Sequence, residues 1–477
     1  MPATITPGRV ATLVGDFDRS PAYAGLAEAL VLLIGDGRIT IDTRLPSERE
    51  LTEALGVSRT TVTRAYAELR DAGYAEARRG AGTFTRVPGG RARAHDRALL
   101  PRSGDDEAID LSCAAPSAPP GVAQAYAAAV ADLPAYLGGH GYFPTGLPAL
   151  QAAIARRYDD RGLPTEPEQV MVTAGALAAT AIAARALTGP GDRAVVETPV
   201  YPNATEALRH GGARLVGAAV DPDRWDVSVL TAAVRQSAPT VAYLIPDFQN
   251  PTGHVMSDEQ RAELAGALRR ARTVAIVDES LQSLALDGQE MPRPFATYAS
   301  DAVTIGSASK AFWGGLRLGW IRVPHGLMER FTQARVSLDL GAPVLEQLVL
   351  ARLLAGGTAL PEQLRRLREQ RDALAAAVST SLPEWRYRLP AGGLSLWCEL
   401  PAALSTALAA EAEQHGAFVV PGPVFSVDGG LDRYVRLPWG RPVGELEDAV
   451  LRIAEAWAAV RDRPSRRASA GRRVMVA

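Results

Sequence analysis

A single lysine stands out among the residues that could do covalent chemistry. Of the 51 basic residues in this 477-residue chain, 50 are arginine and one is Lys310. A primary amine can lose its proton and act as a nucleophile, whereas a guanidinium stays charged in proteins. If arginine has replaced lysine wherever only charge was needed, Lys310 marks a position that requires an amine. The alternative is that one lysine survived by chance.

Polar and glycine-rich motifs surround this lysine. Ser307-Ala-Ser-Lys310 is followed by Gly-Leu-Arg317-Leu-Gly-Trp, and upstream lie Asn250 in an Asn-Pro-Thr-Gly turn and Asp278 at the end of an apolar run. Further candidates are Gly175 and Ala176 at a strand-to-helix turn, Tyr142, Tyr201 and Arg436. Pyridoxal phosphate requires an amine, a carboxylate, a donor to its phenolic oxygen, an aromatic face and donors for its phosphate. The chain supplies a candidate for each.

The order and spacing of these motifs resemble those of the fold type I aminotransferases over roughly 350 residues. The resemblance implies an internal aldimine at Lys310, an Asp278 carboxylate against the pyridinium nitrogen and an Asn250 amide at the phenolic oxygen. It further implies that Tyr201 stacks on the ring, that Ser307, Arg317, the Gly175 and Ala176 amides and a partner subunit's Tyr142 hold the phosphate, and that Arg436 binds an effector carboxylate. The Gly175 turn has independent support, because a helix N-terminus attracts anions.

Some of these residues have simpler alternative roles. Asp278 could cap the turn after its strand, Tyr201 could be a core aromatic, and Arg436 could be a surface ion-pair partner. The sequence also departs from the family pattern where Ser280 replaces a common tyrosine and Leu177 a common glutamine. Both changes remove polar cofactor contacts, so we expect weaker binding or an altered aldimine pKa. Whether the domain catalyses transamination is left open.

The first 90 residues contain a second set of patterns. Apolar spacing predicts a helix over residues 23–34. Ser47 and Glu50 form a capping box that predicts a helix ending at Gly56. Ser58 predicts the start of a third helix, which ends near Ala72. Strand candidates at 74–77 and 83–87 flank a glycine-rich turn, so the region is predicted to be a winged helix-turn-helix.

The stretch from Leu45 to Phe84 closely resembles the DNA-binding domain of the GntR family. Together with the large domain, the chain resembles the MocR-type regulators of that family. The predicted base and phosphate contacts are Arg49, Ser58, Arg59, Thr60, Thr61, Thr63 and Arg64, with Arg78, Arg79 and Gly80 in the wing. The alternative is a three-helix module with solvated charges, since residues 20–86 hold nine arginines and nine acidic residues.

The predicted organisation is an arm at 1–19, a winged helix-turn-helix at 20–87, a linker at 88–109, a large domain at 110–460 and a basic tail at 461–477. Strand-like runs alternate with helical stretches in the large domain, which predicts an α/β fold around a mostly parallel sheet. The fold class is therefore multidomain, a winged helix-turn-helix joined to a fold type I aminotransferase-like domain.

Composition excludes several classes of protein. Cys113 and Cys398 are too few and too far apart for a disulfide scaffold or a zinc ribbon, and no metal site is expected. Ser309 precedes the only lysine, so no P-loop exists. No uncharged stretch supplies about 20 predominantly apolar residues. The N-terminus lacks a signal-peptide pattern, so we expect a cytoplasmic protein.

Three functions are compatible with these patterns. The first is a transcriptional regulator that binds operator DNA and senses pyridoxal phosphate, or an amine or amino acid that adds to it. The second is an active aminotransferase with an accessory DNA-binding domain. The third is a DNA-binding protein whose large domain only dimerises. The intact signature near the N-terminus favours the first over the second, and retention of Lys310 disfavours the third. A homodimer is expected, because fold type I sites are shared across a two-fold interface.

Overall fold

The computed structural model divides the chain into two compact units. The smaller unit takes residues 1–96 and 118–128, and the larger takes residues 97–117 and 129–477. The structure describes residues 4–35, 38–39, 42–78, 80–86, 108–221 and 224–461. Three predicted features lie wholly or mostly outside the described residues. They are the wing residue Arg79, nearly all of the linker, and all of the tail except Arg461.

In its described residues, the smaller unit contains four complete helices, the first part of a fifth and a two-stranded antiparallel sheet. The complete elements are α1 (Pro7–Val14), α2 (Ala22–Gly35), α3 (Glu48–Leu55), α4 (Arg59–Asp71), β1 (Ala75–Arg78) and β2 (Gly82–Thr85). Ser47 and Glu50 form the predicted capping box, and Gly56 ends α3 with a left-handed backbone. The Ser58 hydroxyl caps α4 by accepting a hydrogen bond from the Thr61 N–H at 3.1 Å. The predicted helices are therefore confirmed to within two residues.

The predicted N-terminal arm contains a helix that sequence periodicity missed. Thr6 caps α1, and Val10 and Val14, one turn apart, are buried in the apolar core of the smaller unit. Eight residues give too short a window for a helical period to emerge from the sequence. The prediction that residues 1–19 form an arm without regular structure is therefore wrong for residues 7–14.

The larger unit alternates strands and helices, as predicted. Its strands are β3 (Ile109–Asp110), β4 (Val170–Thr173), β5 (Arg193–Thr198), β6 (Arg214–Ala219), β7 (Val241–Leu244), β8 (Val274–Asp278), β9 (Val303–Ser307), β10 (Gly319–Arg322), β11 (Ser395–Glu399), β12 (Ala417–Phe418), β13 (Val420–Pro421) and β14 (Tyr434–Pro438). Its helices are α6 (Pro148–Asp159), α7 (Ala176–Leu187), α8 (Pro202–His210), α9 (Val227–Ser237), α10 (Asp258–Ala271), α11 (Met328–Val336), α12 (Val344–Gly356), α13 (Ala359–Ser381), α14 (Ser405–Gln414) and α15 (Val443–Arg461), while α5 (Val122–Asp132) is shared between the units.

A seven-stranded sheet forms the centre of this unit, in the order β4-β10-β9-β8-β7-β5-β6. Only β10 runs against its neighbours, and the other pairs are parallel. Residues of β4, β7 and β9 are all buried, as expected for strands covered on both faces by helices. The predicted mostly parallel α/β sheet is confirmed.

A smaller sheet completes the larger unit. It has the antiparallel order β11-β14-β13, and β12 pairs in parallel with β3. Strand β3 begins at Ile109, inside the predicted linker. Helices α13, α14 and α15 contribute to one apolar core with these strands.

None of the helices in the described ranges is by itself long and apolar enough to cross a membrane. Helices α12 and α13 pass a length and composition test only as a pair, and they meet at an angle of 83°.

Candidate functional site

The carboxyl ends of three strands bring candidate residues to one edge of the large sheet. Strands β4, β8 and β9 share one direction, because β10 is antiparallel to both β4 and β9. Asp278 and Ser307 are the last residues of β8 and β9, and Gly175 lies two residues beyond the end of β4. In open α/β sheets, ligands bind at this edge.

The turn at Gly175 has the geometry of an anion cradle. Gly175 has a φ of 93° and begins α7, whose N-terminus receives no side-chain cap. The Arg317 Nη2 lies 3.4 Å from the Ala174 carbonyl oxygen. A Cβ at Gly175 would stand 3.2 Å from the same guanidinium nitrogen. The predicted Gly175 amide is not free, because its N–H donates to the Thr173 carbonyl oxygen at 2.9 Å. The amides that follow it, from Ala176 onward, form the start of α7 beside the exposed Arg317 guanidinium, and such a helix N-terminus favours a phosphate.

Lys310 extends its amine beside the segment 112–114. Its Nζ donates a hydrogen bond to the Ala114 carbonyl oxygen at 3.0 Å. Burial lowers the pKa of this amine; Cys113 and Asp278 partly offset the shift, while Arg436 and Arg317 add to it. The neutral amine that a nucleophile requires is therefore favoured.

Asp278 accepts hydrogen bonds from two sides. The Tyr243 hydroxyl donates to its Oδ2 at 2.5 Å, and the Ser280 N–H donates to its Oδ1 at 2.8 Å. The aspartate does cap its turn, as the simpler alternative held, but it also has this second partner. The Ser280 hydroxyl is buried and has no hydrogen-bond partner in the structure.

Tyr243 was not identified from the sequence. It pairs with Ile276 across β7 and β8, and Ile276 and Asp278 are two residues apart, so all three share one face of the sheet. The residue type alone gives no signal, since a tyrosine in an apolar run is typical of a core strand. Knowledge of the strand register would have located it.

Arg436 is fully buried on β14 rather than at the surface. Its Nη1 donates to the Asn250 Oδ1 at 3.4 Å, and its Nη2 donates to the Ser112 carbonyl oxygen. The buried Nε has no partner in the structure. Burial lowers the pKa of this guanidinium to about 10. A surface ion pair is therefore excluded, and one donor remains available for an acceptor.

Tyr201 and Asn250 both lie close to Arg436, and Tyr201 also lies close to Asp278. Tyr201 precedes α8, packs against two apolar clusters and accepts a hydrogen bond from Asn203 at 2.9 Å. Burial raises the pKa of its hydroxyl, and both Asp278 and Arg436 act on it electrostatically. Its apolar packing matches the core-aromatic alternative, and its charged neighbours place it beside the site.

A buried glutamate supports the turn that carries Asn250, and it too was missed. Glu197 accepts hydrogen bonds from the Ile245 N–H at 2.8 Å and from the Gln249 side chain at 3.0 Å. Gln249 in turn accepts from the N–H and hydroxyl of Thr252. Burial raises the pKa of Glu197 to about 8, although its two donors oppose the shift.

The structure places Ser307, but not Tyr142, near the other candidate cofactor residues. Ser307 is buried, and its hydroxyl accepts from the Ser309 N–H at 3.2 Å, close in sequence to Lys310. Tyr142 is 57% exposed and stacks on His140. Within one chain, the structure does not bring Tyr142 to the other candidates, so a role at a partner's site stays a prediction.

The candidate DNA-binding surface lies on α4 and the turn before it. Arg59, Thr60, Thr63 and Arg64 are exposed. Thr61 is half-buried and shares a hydrogen bond of 2.8 Å with the cap residue Ser58, so these two hydroxyls shape the helix end.

The arginines of this surface differ in the intramolecular contacts that their side chains make. The guanidinium of Arg49 pairs with Glu53 at 3.3 Å and that of Arg59 with Glu48 at 3.8 Å, and both arginines are largely exposed. Exposed pairs of this kind are weak and can be exchanged for a phosphate or a base. Arg64 instead stacks on Tyr23.

The wing is held by intramolecular contacts. Arg78 pairs with Asp42 at 2.6 Å and with Glu76 at 2.8 Å, and it stacks over Phe84. These contacts leave Arg78 less available to DNA than Arg59. Gly80, at the tip, is exposed and has a φ of 75°.

Comparison with known proteins identifies both parts of the chain. Residues 115–453 match the family "Aminotransferase class I and II", and residues 22–85 match "Bacterial regulatory proteins, gntR family". The probable rhizopine catabolism regulatory protein MocR of Rhizobium meliloti is 30% identical, over 76% of this chain and 78% of the relative. The chain belongs to the MocR-type regulators of the GntR family.

Two further comparisons agree with this assignment. The HTH-type transcriptional regulator YdcR of Escherichia coli is 28% identical over 90% of this chain and 97% of its own length. The crystal structure of LysN, an α-aminoadipate aminotransferase of Thermus thermophilus complexed with N-(5'-phosphopyridoxyl)-L-leucine, superimposes with a TM-score of 0.68 at 26% identity, over 74% of this chain and 93% of that one. The fold type I architecture and a GntR-type DNA-binding domain are therefore confirmed.

Membership of the aminotransferase class I and II family implies dependence on pyridoxal phosphate. The residues present fit that cofactor. The uncapped α7 N-terminus and Arg317 suit a phosphate, Lys310 supplies an amine with a lowered pKa, and the unpartnered Nε of Arg436 is an available donor.

Desolvation of the half-buried Lys310 amine, with repulsion from Arg436 and Arg317, predicts a pKa below the usual value of about 10.4 for lysine. Competitive labelling with acetic anhydride across pH can measure it, because the N-terminal amine is the other amine in the chain. Since the unfolded chain would hold this proton more tightly, the contribution of Lys310 to the free energy of unfolding should rise with pH in the window below 10.4. A titration at or above 10.4 in the folded, cofactor-free protein would contradict the burial argument.

Proposed function

We propose that this protein is a transcriptional regulator that binds operator DNA through α4 and senses pyridoxal phosphate, or an amine or amino acid that reacts with it, at Lys310. The observation that carries the proposal is the half-buried Lys310 amine, set among Asp278, Arg317 and Arg436 in a chain that otherwise uses arginine. When bound, pyridoxal phosphate supplies an aldehyde that condenses with amines.

Each protein group has a distinct task in this proposal. Lys310 holds its amine in the neutral form and so provides the point of attachment. Asp278, fixed by the Tyr243 hydroxyl, offers a carboxylate to a pyridinium nitrogen. The Gly175 turn and Arg317 bind the phosphate. Asn250 is held at the phenolic oxygen by the turn that Glu197 supports through Gln249.

Arg436 selects the effector in this proposal. A guanidinium recognises a carboxylate through paired donors, and here the buried Nε is unpartnered. Its other nitrogens already donate to Asn250 and Ser112, which fixes the guanidinium plane. An effector with an α-carboxylate is therefore favoured over a simple amine.

A second candidate function is transamination. The 2-aminoadipate transaminase of Thermus thermophilus is 30% identical over 66% of this chain and 81% of its own length. The complete GntR domain argues for regulation instead. Sustained turnover of an amino acid with a keto acid would favour the enzyme.

Arg59→Ala should weaken operator preference while leaving cofactor binding intact. An arginine that bonds a guanine with two donors contributes about 1–3 kcal/mol of discrimination, so specific binding should fall about tenfold or more relative to non-specific DNA. Fluorescence anisotropy with operator and scrambled duplexes at one salt concentration measures the ratio. Arg70→Ala, at the opposite end of α4, is the matched control and should retain the preference. The assignment would be refuted if Arg59→Ala and Arg70→Ala showed the same ratio of operator affinity to scrambled-duplex affinity.

Lys310→Ala should abolish the response to pyridoxal phosphate without changing basal DNA affinity. The ratio of operator dissociation constants with and without the cofactor should approach one, because no side-chain amine remains to attach it. Lys310→Arg is a second variant, which keeps a long basic side chain but cannot form the bond, so it should lose the response equally. Borohydride reduction of the loaded wild-type protein should fix the cofactor on the peptide that contains Lys310. A normal response in either variant would overturn the sensing proposal.

We also propose that the larger unit forms a symmetric homodimer. Four large apolar side chains form an exposed group, here called the apolar patch: Leu137, Tyr142, Leu338 and Leu340. The two segments that carry them adjoin, since a Cβ at Gly341 would stand 2.7 Å from the Phe143 carbonyl oxygen. Clustered exposed apolar residues are typical of protein interfaces. A two-fold dimer would present paired DNA-binding units to two half-sites.

Leu338→Asp combined with Leu340→Asp should shift the full chain from dimer to monomer. Two carboxylates in an apolar interface lose hydration without gaining partners. Sedimentation equilibrium measures the mass, and Leu451→Asp, at an equally exposed leucine on α15, should leave the dimer intact. A monomeric wild-type protein, or an unchanged dimer in the double variant, would contradict this use of the apolar patch.

A further inference from the structure

A recess in the larger unit lies beside the strand ends that carry the candidate cofactor residues, and its lining includes one of them, Ser307. The recess is small, since the centre of a water molecule can reach about 30 Å³ of it. It is called here the arginine recess, and its chemically distinctive lining residues are Arg157, Arg161, Glu279, Ser283, Phe312 and Trp320.

One wall of the arginine recess holds a buried ion pair. The Arg161 Nη1 donates to the Glu279 Oε2 at 2.5 Å, and the two side chains are only 20% and 2% exposed. The Arg161 Nη2 is buried and has no hydrogen-bond partner in the structure. Burial opposes the positive charge of Arg161, but the adjacent carboxylate leaves its pKa above the usual value. Arg161 is therefore charged and has a donor to spare.

A second guanidinium makes the recess electropositive. Arg157 precedes Arg161 by four residues and is half-buried, and within the described part of the chain it forms neither an ion pair nor a side-chain hydrogen bond. Burial lowers its pKa, and repulsion from Arg161 lowers it further. The two arginines share the recess with one carboxylate, Glu279, whose Oε1 is also buried without a hydrogen-bond partner in the structure. The charged groups of the lining therefore sum to one excess positive charge.

The remaining walls are rigid and largely apolar. The Trp320 ring lies over Gly306, where a Cβ would stand 2.1 Å from the indole, and its Nε1 donates to the Tyr158 hydroxyl at 3.1 Å. Phe312 is buried on another side. Apolar walls weaken solvent screening, so an oxyanion between the two guanidiniums would gain more than it would at the surface.

We propose that the arginine recess is a second ligand site, which binds a small oxyanion (a carboxylate or a phosphate) between Arg157 and Arg161. Its lining contains neither the Gly175 turn nor Arg317, but it shares Ser307 with the candidate cofactor site. Its lining nevertheless adjoins the cofactor residues in sequence, since Glu279 follows Asp278 and Phe312 lies two residues after Lys310. An occupant therefore contacts the segments that position Asp278 and Lys310.

Binding of inorganic phosphate and of succinate to the full-length, pyridoxal-phosphate-treated protein tests the proposal. Line broadening of the free phosphate ³¹P resonance and saturation-transfer ¹H spectra of succinate report the two anions separately. Arg157→Gln should weaken binding of at least one anion about tenfold, because a hydrogen bond to a charged group is lost. Arg156→Gln, at the exposed neighbouring arginine, is the matched control and should bind within about twofold of wild type.

A third variant separates this site from the proposed cofactor site. Arg317→Gln removes a predicted cofactor-phosphate contact and should leave the Arg157-dependent binding unchanged, even if the protein fails to retain pyridoxal phosphate. Equal binding by wild type, Arg157→Gln and Arg156→Gln would overturn the proposal, as would the absence of binding by either anion at millimolar concentration. Loss of binding in Arg317→Gln alone would assign the anion to the Gly175 turn instead.

Discussion

The direction of the strands in the large sheet is the constraint on which the site depends. Because β4, β8 and β9 run the same way, their carboxyl ends meet at one edge, and the chain must turn there with free backbone donors. The edge collects Asp278, the Gly175 turn and, just beyond Ser307, Lys310. The smaller sheet then supplies Arg436 from the opposite end of the sequence. A site built in this way is polar at its centre and surrounded by apolar residues.

Placing charged groups at this edge costs free energy of solvation. Hydrogen bonds such as that from the Tyr243 hydroxyl to Asp278 offset part of the cost. Two guanidiniums, those of Arg317 and Arg436, stand with the Lys310 amine near one carboxylate, Asp278. The lowered pKa values of Lys310 and Arg436 both have burial as their main cause. An anionic ligand with an aldehyde, and an effector with a carboxylate, would supply the charges that the ligand-free protein lacks.

Much of this arrangement could be predicted from the sequence, because its signals are local. Caps such as Ser47 and Ser58 act within three residues, and buried strands form short apolar runs. Lys310 was identifiable from composition alone. The features that were missed depend on three-dimensional proximity. Tyr243 requires the β7–β8 register, and the contacts of Arg436 and Lys310 with the segment 112–114 are made to backbone carbonyls, which any residue type provides. Helix α1 was too short to show a period.

The separation in sequence between Arg436 and its partners has a consequence for biosynthesis. The core of the smaller unit is drawn from residues between Val10 and Ala75, so it is complete early in translation. Arg436 must pack against Ser112 and Asn250, and it leaves the ribosome about 350 residues later, which at roughly 5–20 residues per second is a delay of about 20–70 s. During this interval a nascent chain carries a complete DNA-binding unit and an incomplete sensor. Newly made protein therefore acquires its two halves in a fixed order, recognition first and response second.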